Sequence, residues 1–400
     1  MLSYNEVIDA IQGKRRFGEL PGAEVSKIMS AAVGNPERSL EFVHIAGTNG
    51  KGSTAAFLCE ILKNTEVRTG LFTSPHLVSF RERIRIGDEY IPEDDVTRIG
   101  NMLLEMDFGE NVYPTMFDYC LMMALIWFKE QGVKLVILET GLGGRLDSTN
   151  IIQTPIVSII THIGYDHMAI LGNTLSEIAY EKCGILKKGT YLVTEEQTPE
   201  AMSVIRKEAL KRDIPLEVAK ATELDLSLFG EFQKRNAGCA VACAKYLNTK
   251  GYPISDEDIK EGLKKAFWPG RMQLLSKNPL ILIDGAHNSD GVDALKETLT
   301  KKFGERKFDF VMGVMADKDY EKMLEIIKPC VKRLTAVTVD YGRAESAENI
   351  ASLCRKLGMN ATASNEPIES ILNGITEDTI VFGSLYFIGE ILGLNTKYTK

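Results

Sequence analysis

The chain has 400 residues, of which 44% are hydrophobic and 26% are charged, a composition typical of globular proteins. Its net charge is −8, from 47 basic and 55 acidic residues, and neither sign forms a long run. This balance argues against a nucleic-acid-binding protein, because phosphate backbones require clustered Lys and Arg. Since 400 residues exceed one comfortable hydrophobic core, we expect two domains.

The sequence shows no sign of an export or membrane segment. Met1–Phe17 mixes polar and charged residues and lacks the apolar core of a signal peptide. The longest apolar run, Cys120–Phe128, is too short to span a bilayer. The seven cysteines are an odd number and form no metal-type Cys-x-x-Cys pair. We therefore expect a cytoplasmic protein with no membrane and no nucleic-acid partner.

The first clear unit along the chain is a strand, a glycine-rich turn and a helix. Glu41–Ile45 is strand-like, and apolar residues recur at helical spacing over Ser53–Leu62. The glycines between them let successive backbone N–H groups point at phosphate oxygens, and a helix N-terminus favours anions. Lys51 adds a positive charge, and the Ser53 hydroxyl can reach a phosphate or its magnesium. The alternative is a tight strand-to-helix connection without a ligand.

Strand-like and helical runs alternate through the first 270 residues, which predicts a mostly parallel sheet with helices on its faces. Further strands are predicted at 69–73, 134–139, 156–161 and 191–194. Helices are predicted at 53–63, 116–131, 175–185, 201–211, 232–249 and 256–266, the last with Ser255 as its N-cap.

Polar residues follow three of these strands at the sheet edge where α/β folds bind ligands. The Ser74 hydroxyl can approach a metal or substrate, although a plain turn before a proline is the alternative. Glu139 ends a buried hydrophobic strand, where a carboxylate is costly unless it is paired or bound to metal. His167 lies next to Asp166, a context that favours a metal ligand over a structural histidine.

Lys182 lies on the helix predicted at 175–185. An exposed helical lysine is the common case, but the flanking sequence Cys183-Gly184-Ile185 indicates burial. Burial disfavours the charged ammonium and leaves a reactive amine.

The composition changes at 267–271, and a second alternation of strands and helices begins there. Strands are predicted at 280–283, 308–314, 334–339 and 379–382. We expect a hinge near 268–278 and then a domain of about 125 residues. After its first strand, Asp284 can accept a hydrogen bond from a ribose or an amine, and His287 or Asn288 can face a ligand in a cleft. The predicted fold class is α/β, with a P-loop-type, mostly parallel sheet domain at 1–270 and a smaller doubly wound, Rossmann-like domain at 271–400.

With these segments in order, the sequence resembles the Mur-ligase superfamily and, within it, the folylpolyglutamate synthase/dihydrofolate synthase family. The resemblance extends over most of the chain from residue 41 to 385 and rests on the order and spacing of short strings. These are Ala46–Ser53, Thr73–Leu77, Glu139–Asn150, Ile163–Gly172, Glu181–Ile185, Gly230–Gln233 with Asn236, Pro269–Arg271, Asp284–Asn288 and Gly383–Leu385.

The resemblance implies an ATP-dependent amide ligase that adds L-glutamate to a folate through an acyl phosphate, with ATP and two Mg²⁺ ions as cofactors. The residues implied to bind the nucleotide are Gly50, Lys51, Gly52, Ser53, Asn236, Arg271 and Asp284. The implied metal ligands are Ser74 and Glu139 for one ion, and His167 with a carbamylated Lys182 for the other. The implied catalytic residues are Lys51, Glu139, His167 and Lys182. The implied substrate contacts are Thr115, Phe117, Leu146, Asp147 and His287.

Some questions stay open at this point. Asp118 stands where the family usually has Glu after Phe117, which weakens the expected pterin contact there. The sequence does not decide between a reduced folate, dihydropteroate or both as acceptor, nor the oligomeric state, for which we expect a monomer. The competing functions are a ligase for a cell-wall nucleotide sugar, a P-loop kinase or ATPase without ligation, and a nucleotide-binding regulator without enzymatic activity.

Overall fold

The structure, a computed structural model, describes residues 1–14 and 20–394. The last three residues of Met1–Phe17 and the last six of the expected second domain therefore lie outside the described residues. The chain divides into two compact units, the first formed by Met1–Ser227 with Lys234–Ala266, the second by Leu228–Gln233 with the chain from Phe267 onward. Among the described residues, no helix is both long and apolar enough to cross a membrane.

The first unit contains an eight-stranded sheet in the order β4-β3-β2-β5-β1-β6-β7-β8. Its strands are β1 (Glu41–Ala46), β2 (Thr69–Phe72), β3 (Ile84–Ile86), β4 (Glu89–Tyr90), β5 (Leu135–Glu139), β6 (Val157–Ile160), β7 (Tyr191–Thr194) and β8 (Leu216–Val218). Six neighbouring strands from β2 to β8 run parallel, and at one edge β3 pairs antiparallel with both β2 and β4. The predicted mostly parallel sheet is confirmed.

Ten helices accompany this part of the chain within the described residues. They are α1 (Tyr4–Gln12), α2 (Gly22–Ala32), α3 (Lys51–Lys63), α4 (Glu93–Glu105), α5 (Met116–Glu130), α6 (Met168–Leu171), α7 (Leu175–Lys182), α8 (Pro199–Lys211), α9 (Glu231–Thr249) and α10 (Asp256–Lys265). The apolar run Cys120–Phe128 is the buried centre of α5, and it packs with Phe72, Val136 and Leu138 of the sheet. Ser255 caps α10 as predicted, because its side chain accepts from Asp258 N.

The second unit has a six-stranded sheet in the order β13-β12-β11-β14-β10-β9. Its strands are β9 (Gln273–Lys277), β10 (Leu280–Asp284), β11 (Phe308–Met312), β12 (Val331–Val337), β13 (Ala361–Ser364) and β14 (Thr379–Phe382). Its helices are α11 (Ser289–Phe303), α12 (Tyr320–Ile327), α13 (Ala347–Lys356), α14 (Ile368–Asn373) and α15 (Leu385–Gly393). All pairs are parallel except β9 with β10. The predicted α/β class is therefore confirmed for this half too.

Two predicted segments differ from the structure. Part of the expected hinge at 268–278 is strand β9, which pairs antiparallel with β10. The helix expected at 175–185 ends at Lys182 and continues as a 3-10 turn over Cys183–Ile185. A side chain at Gly184 would meet the Arg145 backbone, since a Cβ there would lie 2.2 Å from Arg145 Cα. This close approach leaves no room for a regular helical side chain at that position.

The sheet order of the first unit brings the predicted site segments together. The strands β2, β5, β1 and β6 are consecutive neighbours and run in the same direction. Their carboxyl ends therefore lie at one edge of the sheet. These ends and the loops after them carry Ser74, Glu139, the glycine-rich turn and His167, in that order.

Candidate active site

The glycine-rich turn lies between the central strand β1 and helix α3. Helix α3 begins at Lys51, two residues before the predicted start, and Gly50 is its N-cap with a φ of 91°. Lys51 folds back over the turn, because its Nζ donates to Gly47 O at 3.0 Å and to Thr48 O at 3.2 Å. The turn is thus already closed around a lysine at the start of a helix, where an anion is stabilised.

Two glycines of the turn are required by close packing. A Cβ at Gly47 would lie 1.8 Å from Thr161 Oγ1, in the loop after β6. A Cβ at Gly50 would lie 2.2 Å from Asn236 Oδ1. Asn236, a predicted nucleotide contact, is buried on α9, and its amide therefore lies against the glycine-rich turn.

Glu139 and Ser74 lie together on the neighbouring strand ends. Glu139 is the last residue of β5 and is 4% exposed. Its Oε2 accepts a hydrogen bond from Ser74 N at 3.1 Å. The structure thus places the buried carboxylate and the Ser74 loop in contact, on the β5 side of the glycine-rich turn.

Lys182 is the most unusual charged group at this sheet edge. The side chain is 3% exposed, and its Nζ donates to Gly47 O at 2.8 Å, the same carbonyl that Lys51 contacts. Burial first and the nearby Lys51 second lower the pKa of Lys182 to about 7, while Asp166 and Asp147 oppose the change. Near neutral pH a large fraction of this amine is therefore uncharged and nucleophilic.

His167 follows β6 on the other side of the glycine-rich turn. It is the N-cap residue of α6 and has a left-handed backbone with a φ of 51°. Its backbone N–H donates to Asp166 Oδ1 at 2.9 Å, and its Nε2 lies 3.8 Å from Asp166 Oδ2. Since Asp166 also acts on the pKa of Lys182, the three residues share one neighbourhood.

The side chains at this sheet edge differ in how well they fit magnesium. Within residues 1–14 and 20–394, no three His, Cys, Asp or Glu side chains form a ready metal cluster. Mg²⁺ does not need one, because it commonly binds one or two carboxylates together with water and substrate phosphates. Glu139 with Ser74, beside the glycine-rich turn, fits that pattern. The bare amine of Lys182 does not, because Mg²⁺ prefers oxygen ligands.

Four of the five implied substrate contacts, Thr115, Phe117, Leu146 and Asp147, have different environments. Phe117 packs against the Phe72 ring at 5.5 Å between centroids, and Leu146 is 45% exposed. The Thr115 hydroxyl is engaged in capping α5, where it accepts from Asp118 N and donates to Asp118 Oδ2. The polar group of Thr115 therefore has a structural partner, whereas the two apolar side chains offer surface to a ligand.

Asp147 is buried inside its own loop. Its Oδ2 accepts from Leu142 N at 2.7 Å, and its Oδ1 accepts from Thr149 N and Thr149 Oγ1. Burial raises the pKa of Asp147, and these hydrogen bonds oppose the rise. The carboxylate shapes the loop after Glu139, so any contact with a substrate is additional to that role.

Arg271, Asp284 and His287 form a group in the second unit. Asp284 is 4% exposed, and its two oxygens accept from Met272 N and Ala286 N, both at 2.8 Å. Burial raises the pKa of Asp284, while Arg271 beside it opposes the rise. His287 Nδ1 lies 2.8 Å from Gly285 O. The three predicted residues are thus brought together at the carboxyl end of β10.

Comparison with known proteins decides the family. The Mur ligase middle domain matches residues 45–215, and the Mur ligase glutamate ligase domain matches residues 270–382. The dihydrofolate synthase/folylpolyglutamate synthase of Bacillus subtilis is 36% identical over 97% of this chain and 98% of its own length. The chain belongs to the folylpolyglutamate synthase/dihydrofolate synthase family. The Lacticaseibacillus casei folylpolyglutamate synthase is 30% identical over 98% of both proteins.

Solved structures of the folylpolyglutamate synthase family share this fold. The Thermotoga maritima folylpolyglutamate synthase has a TM-score of 0.83 and 32% identity, covering 96% of this chain and 95% of its own. The FPGS–AMPPCP–folate complex has a TM-score of 0.83 and 28% identity, covering 98% and 99%. The suspected family and the α/β architecture are therefore confirmed.

One supporting residue of this family member was missed by the sequence analysis. The Gln197 amide accepts from Ile163 N and donates to Thr161 O, both at 3.0 Å. It thereby fixes the loop in which His162 O accepts from Thr48 N of the glycine-rich turn at 2.7 Å. Its only sequence signal is a position soon after β7, which is too general to single out one glutamine.

Proposed function

We propose that this protein is an ATP-dependent amide ligase that joins L-glutamate to a reduced folate, and that it uses dihydropteroate as a second acceptor. The observation that carries the proposal is Lys182, whose buried amine touches the carbonyl of Gly47 beside Lys51. A kinase or ATPase of the phosphate-loop type has no use for a second, near-neutral lysine there. The Bacillus subtilis relative, which is named for both activities, and the FPGS complex with AMPPCP and folate support the same substrates.

The proposed reaction needs two anions to meet. The acceptor carboxylate attacks the γ-phosphorus of ATP, releases ADP and becomes an acyl phosphate, a better electrophile than the carboxylate. The amine of glutamate then attacks the acyl carbon, and phosphate leaves. Catalysis is therefore mostly alignment and charge neutralisation. Lys51 and the N–H groups around Gly50, Gly52 and Ser53 would hold the phosphates, with Asn236 packed against the turn.

The proposed metal ligands divide into two groups. Glu139 and Ser74 would hold one Mg²⁺, and His167 with Lys182 a second. For the second site we propose that the neutral Lys182 amine adds carbon dioxide, losing one proton and gaining a carboxylate. The carbamate nitrogen retains one N–H, so the hydrogen bond to Gly47 O can persist. Bound magnesium would screen the negative charges of the phosphates and the acceptor carboxylate.

The remaining site residues complete the proposal. Arg271 and Asp284 would contact the nucleotide, and His287 a substrate, while Phe117 and Leu146 would contact the pterin, with Thr115 and Asp147 shaping that pocket. We propose that residues 1–270 provide the ATP and acceptor loops and residues 271–400 the glutamate-ligase part. The two matched Mur ligase domains support this division. We further propose that the protein is a cytoplasmic monomer. Its seven cysteines are free and buried, which suits the reducing cytoplasm.

The decisive experiment is an assay of the purified protein with ATP, Mg²⁺ and labelled glutamate. Tetrahydrofolate and dihydropteroate are offered in parallel, and a reaction with a cell-wall nucleotide sugar is the control. We expect ADP release that requires both glutamate and a folate-type acceptor, with the label in the product. Phosphate release that does not depend on glutamate would instead identify an ATPase or kinase.

A further inference from the structure

Arg83 is a buried cation at the edge of the proposed site. It immediately precedes β3, next to the pair formed by Phe72 of β2 and Ile84 of β3. Its carbonyl accepts from Thr73 N at 3.0 Å, one residue before Ser74. Its side chain is only 4% exposed. Arg83 therefore lies beside the strand end that leads to the Ser74–Glu139 contact.

The partner of the Arg83 guanidinium is not an anion. Its Nε donates to His76 Nδ1 at 2.8 Å. A ring nitrogen that accepts a hydrogen bond carries no proton, so the contact requires a neutral imidazole with its proton on Nε2. Among the residues that the structure describes, no carboxylate lies within 4.0 Å of the Arg83 nitrogens.

Glu82, the residue before Arg83, accepts its hydrogen bonds from backbone N–H groups of the loop that precedes it. Glu82 Oε2 accepts from Leu77 N at 2.7 Å, and its Oε1 accepts from Val78 N at 2.9 Å and Ser79 N at 2.6 Å. These bonds hold the loop between Ser74 and Ser79 in place. The same loop presents His76 to Arg83, so the guanidinium is oriented although no carboxylate of the described residues pairs with it.

Burying a guanidinium is costly unless water or an anion completes its hydrogen bonds. The Nη edge of a guanidinium binds a carboxylate through two parallel hydrogen bonds, a geometry that lysine does not provide. His76 uses the Nε of Arg83. Among the described residues, the Nη atoms of Arg83 are not among the buried atoms that lack a hydrogen-bond partner, so this edge of the guanidinium remains accessible to solvent.

We propose that Arg83 binds the α-carboxylate of the glutamate on the folate acceptor while the γ-carboxylate reacts beside Glu139. The inference rests on the proposed function. A tetrahydrofolate has both carboxylates, whereas dihydropteroate has only the one that reacts. Only β2 separates β3 from β5, so the backbones of Arg83 and Glu139 lie about 10 Å apart across the sheet. One glutamate fits between them when each side chain extends toward one of its two carboxylates. Arg83 thus selects acceptors that already carry glutamate.

The test pairs a change in the enzyme with a change in the ligand. Binding of tetrahydrofolate is compared with binding of its α-carboxamide analogue, whose γ-carboxylate is unchanged, in the presence of a non-hydrolysable ATP analogue. We expect the unmodified enzyme to bind the amide about 10- to 100-fold more weakly, the range for a charge-assisted hydrogen-bonded pair. In Arg83→Gln the two ligands should bind within about threefold of each other.

Arg81→Gln is the matched control. Arg81 lies on the same short turn, but its Nε donates to Ile91 O and its Nη1 lies 3.4 Å from Glu93 Oε1. This variant should keep the full discrimination between acid and amide. If the thermal transition shows that Arg83→Gln does not fold, Arg83→Lys replaces it. Lysine keeps the positive charge but loses the contact through two parallel hydrogen bonds. The discrimination between acid and amide should then fall at least threefold.

The outcomes separate this inference from the proposed function. Equal binding of acid and amide by the unmodified enzyme, or unchanged discrimination in the Arg83 variants, overturns the role of Arg83 even when glutamate is incorporated normally. Absence of ATP-dependent glutamate incorporation with every acceptor overturns the proposed function itself. In turnover assays, Arg83→Gln should lower kcat/KM for tetrahydrofolate at least tenfold more than kcat/KM for dihydropteroate.

Discussion

Two lysines meet at one carbonyl oxygen in this protein. Lys51 and Lys182 both donate to Gly47 O, and the second of them is almost completely buried. Two like charges this close in a dry site cannot both be stable, and the pKa of Lys182 falls to about 7 as a result of burial and of Lys51. The two lysines are therefore suited to bind an anion, and the Lys182 amine is suited to chemical modification.

Lys182→Ala should lower turnover by about 100-fold or more, because the proposed metal-binding carbamate cannot form. A small carboxylic acid added to this variant should restore part of the activity by supplying the missing oxygens. The measurement is glutamate incorporation with and without the acid, with the unmodified enzyme plus acid as control. Full activity of Lys182→Ala without any addition would remove the carbamate from the mechanism.

The lowered pKa of Lys182 also predicts how stability depends on pH. The unfolded chain has the ordinary lysine pKa of 10.5, so between about pH 7 and 10.5 it binds more protons than the folded protein. This contribution to the free energy of unfolding therefore rises with pH in that window. Lys182→Met removes it, so the stability of the variant relative to the unmodified protein should fall from pH 7 to pH 9.5. Urea unfolding of both proteins in CO₂-free buffer measures their free energies of unfolding at the two pH values. A difference between the two proteins that does not change with pH would contradict the lowered pKa of Lys182.

Glu139 should matter for its charge and not only for its shape. Glu139→Gln keeps an oxygen that can accept from Ser74 N, whereas Glu139→Ala removes it. Both should reduce kcat/KM by about 100-fold or more, corresponding to about 3 kcal/mol for one preorganised electrostatic contact. Their thermal transitions should stay close to that of the unmodified enzyme. Near-normal activity in Glu139→Gln would show that the charge is dispensable.

At the scale of elements, the site depends on how loops pack behind the sheet edge. The glycine-rich turn is held between Thr161 on one side and Asn236 on the other. The loop after β6 and helix α9 therefore determine its shape as much as its own sequence does. Such packing makes the turn sensitive to single added atoms.

Gly50→Ala tests this packing. Its φ of 91° disfavours any side chain, and the new Cβ would also lie 2.2 Å from Asn236 Oδ1. We expect ATP affinity to fall by at least about tenfold, since the turn must shift. Gly34→Ala is the matched control, because Gly34 has a φ of 79° but no atom within 4 Å of a Cβ. It should lose stability by about 1–2 kcal/mol without losing ATP affinity. Calorimetric titration with ATP would distinguish the two, and equal affinities would contradict the packing argument.

At the scale of the whole molecule, the chain contributes to its second unit in two places. The segment Leu228–Gln233 is separated from the remainder of that unit by residues 234–266. Its Phe229 and Phe232 pack against the core that contains Phe308, Phe310 and Phe382. A single cut in the sequence therefore does not separate the two units completely.

Phe232→Ala should destabilise the second unit specifically. Losing a partly buried aromatic ring should lower its free energy of unfolding by about 1–3 kcal/mol. Phe267→Ala is the control, because that ring is 59% exposed and should change stability by less than about 0.5 kcal/mol. Hydrogen exchange of amides in β10, β11 and β14 reports on this unit directly. Unchanged exchange in Phe232→Ala would contradict the assignment of the segment.

Much of the fold was predictable from local patterns. The strands β1, β2, β5, β6 and β7 and their following loops could be located because each is a short apolar run that is buried on both faces of a sheet. The short strands β3, β4, β8 and β13 were missed, since each has two to four residues and no strong apolar period. Strand β9 was interpreted as part of a hinge because only pairing with β10 defines it.

By itself, the sequence determined the α/β class, the glycine-rich turn and the likeness to the folate-specific ligases, because each depends on residues that are near neighbours along the chain. Only the tertiary structure decided the environment of the charged groups. It placed Lys182 against Gly47, gave Asp147 and Asp284 backbone partners, and left Arg83 with a neutral imidazole. The physical reason is that desolvation and Coulomb interactions depend on distances between residues far apart in sequence.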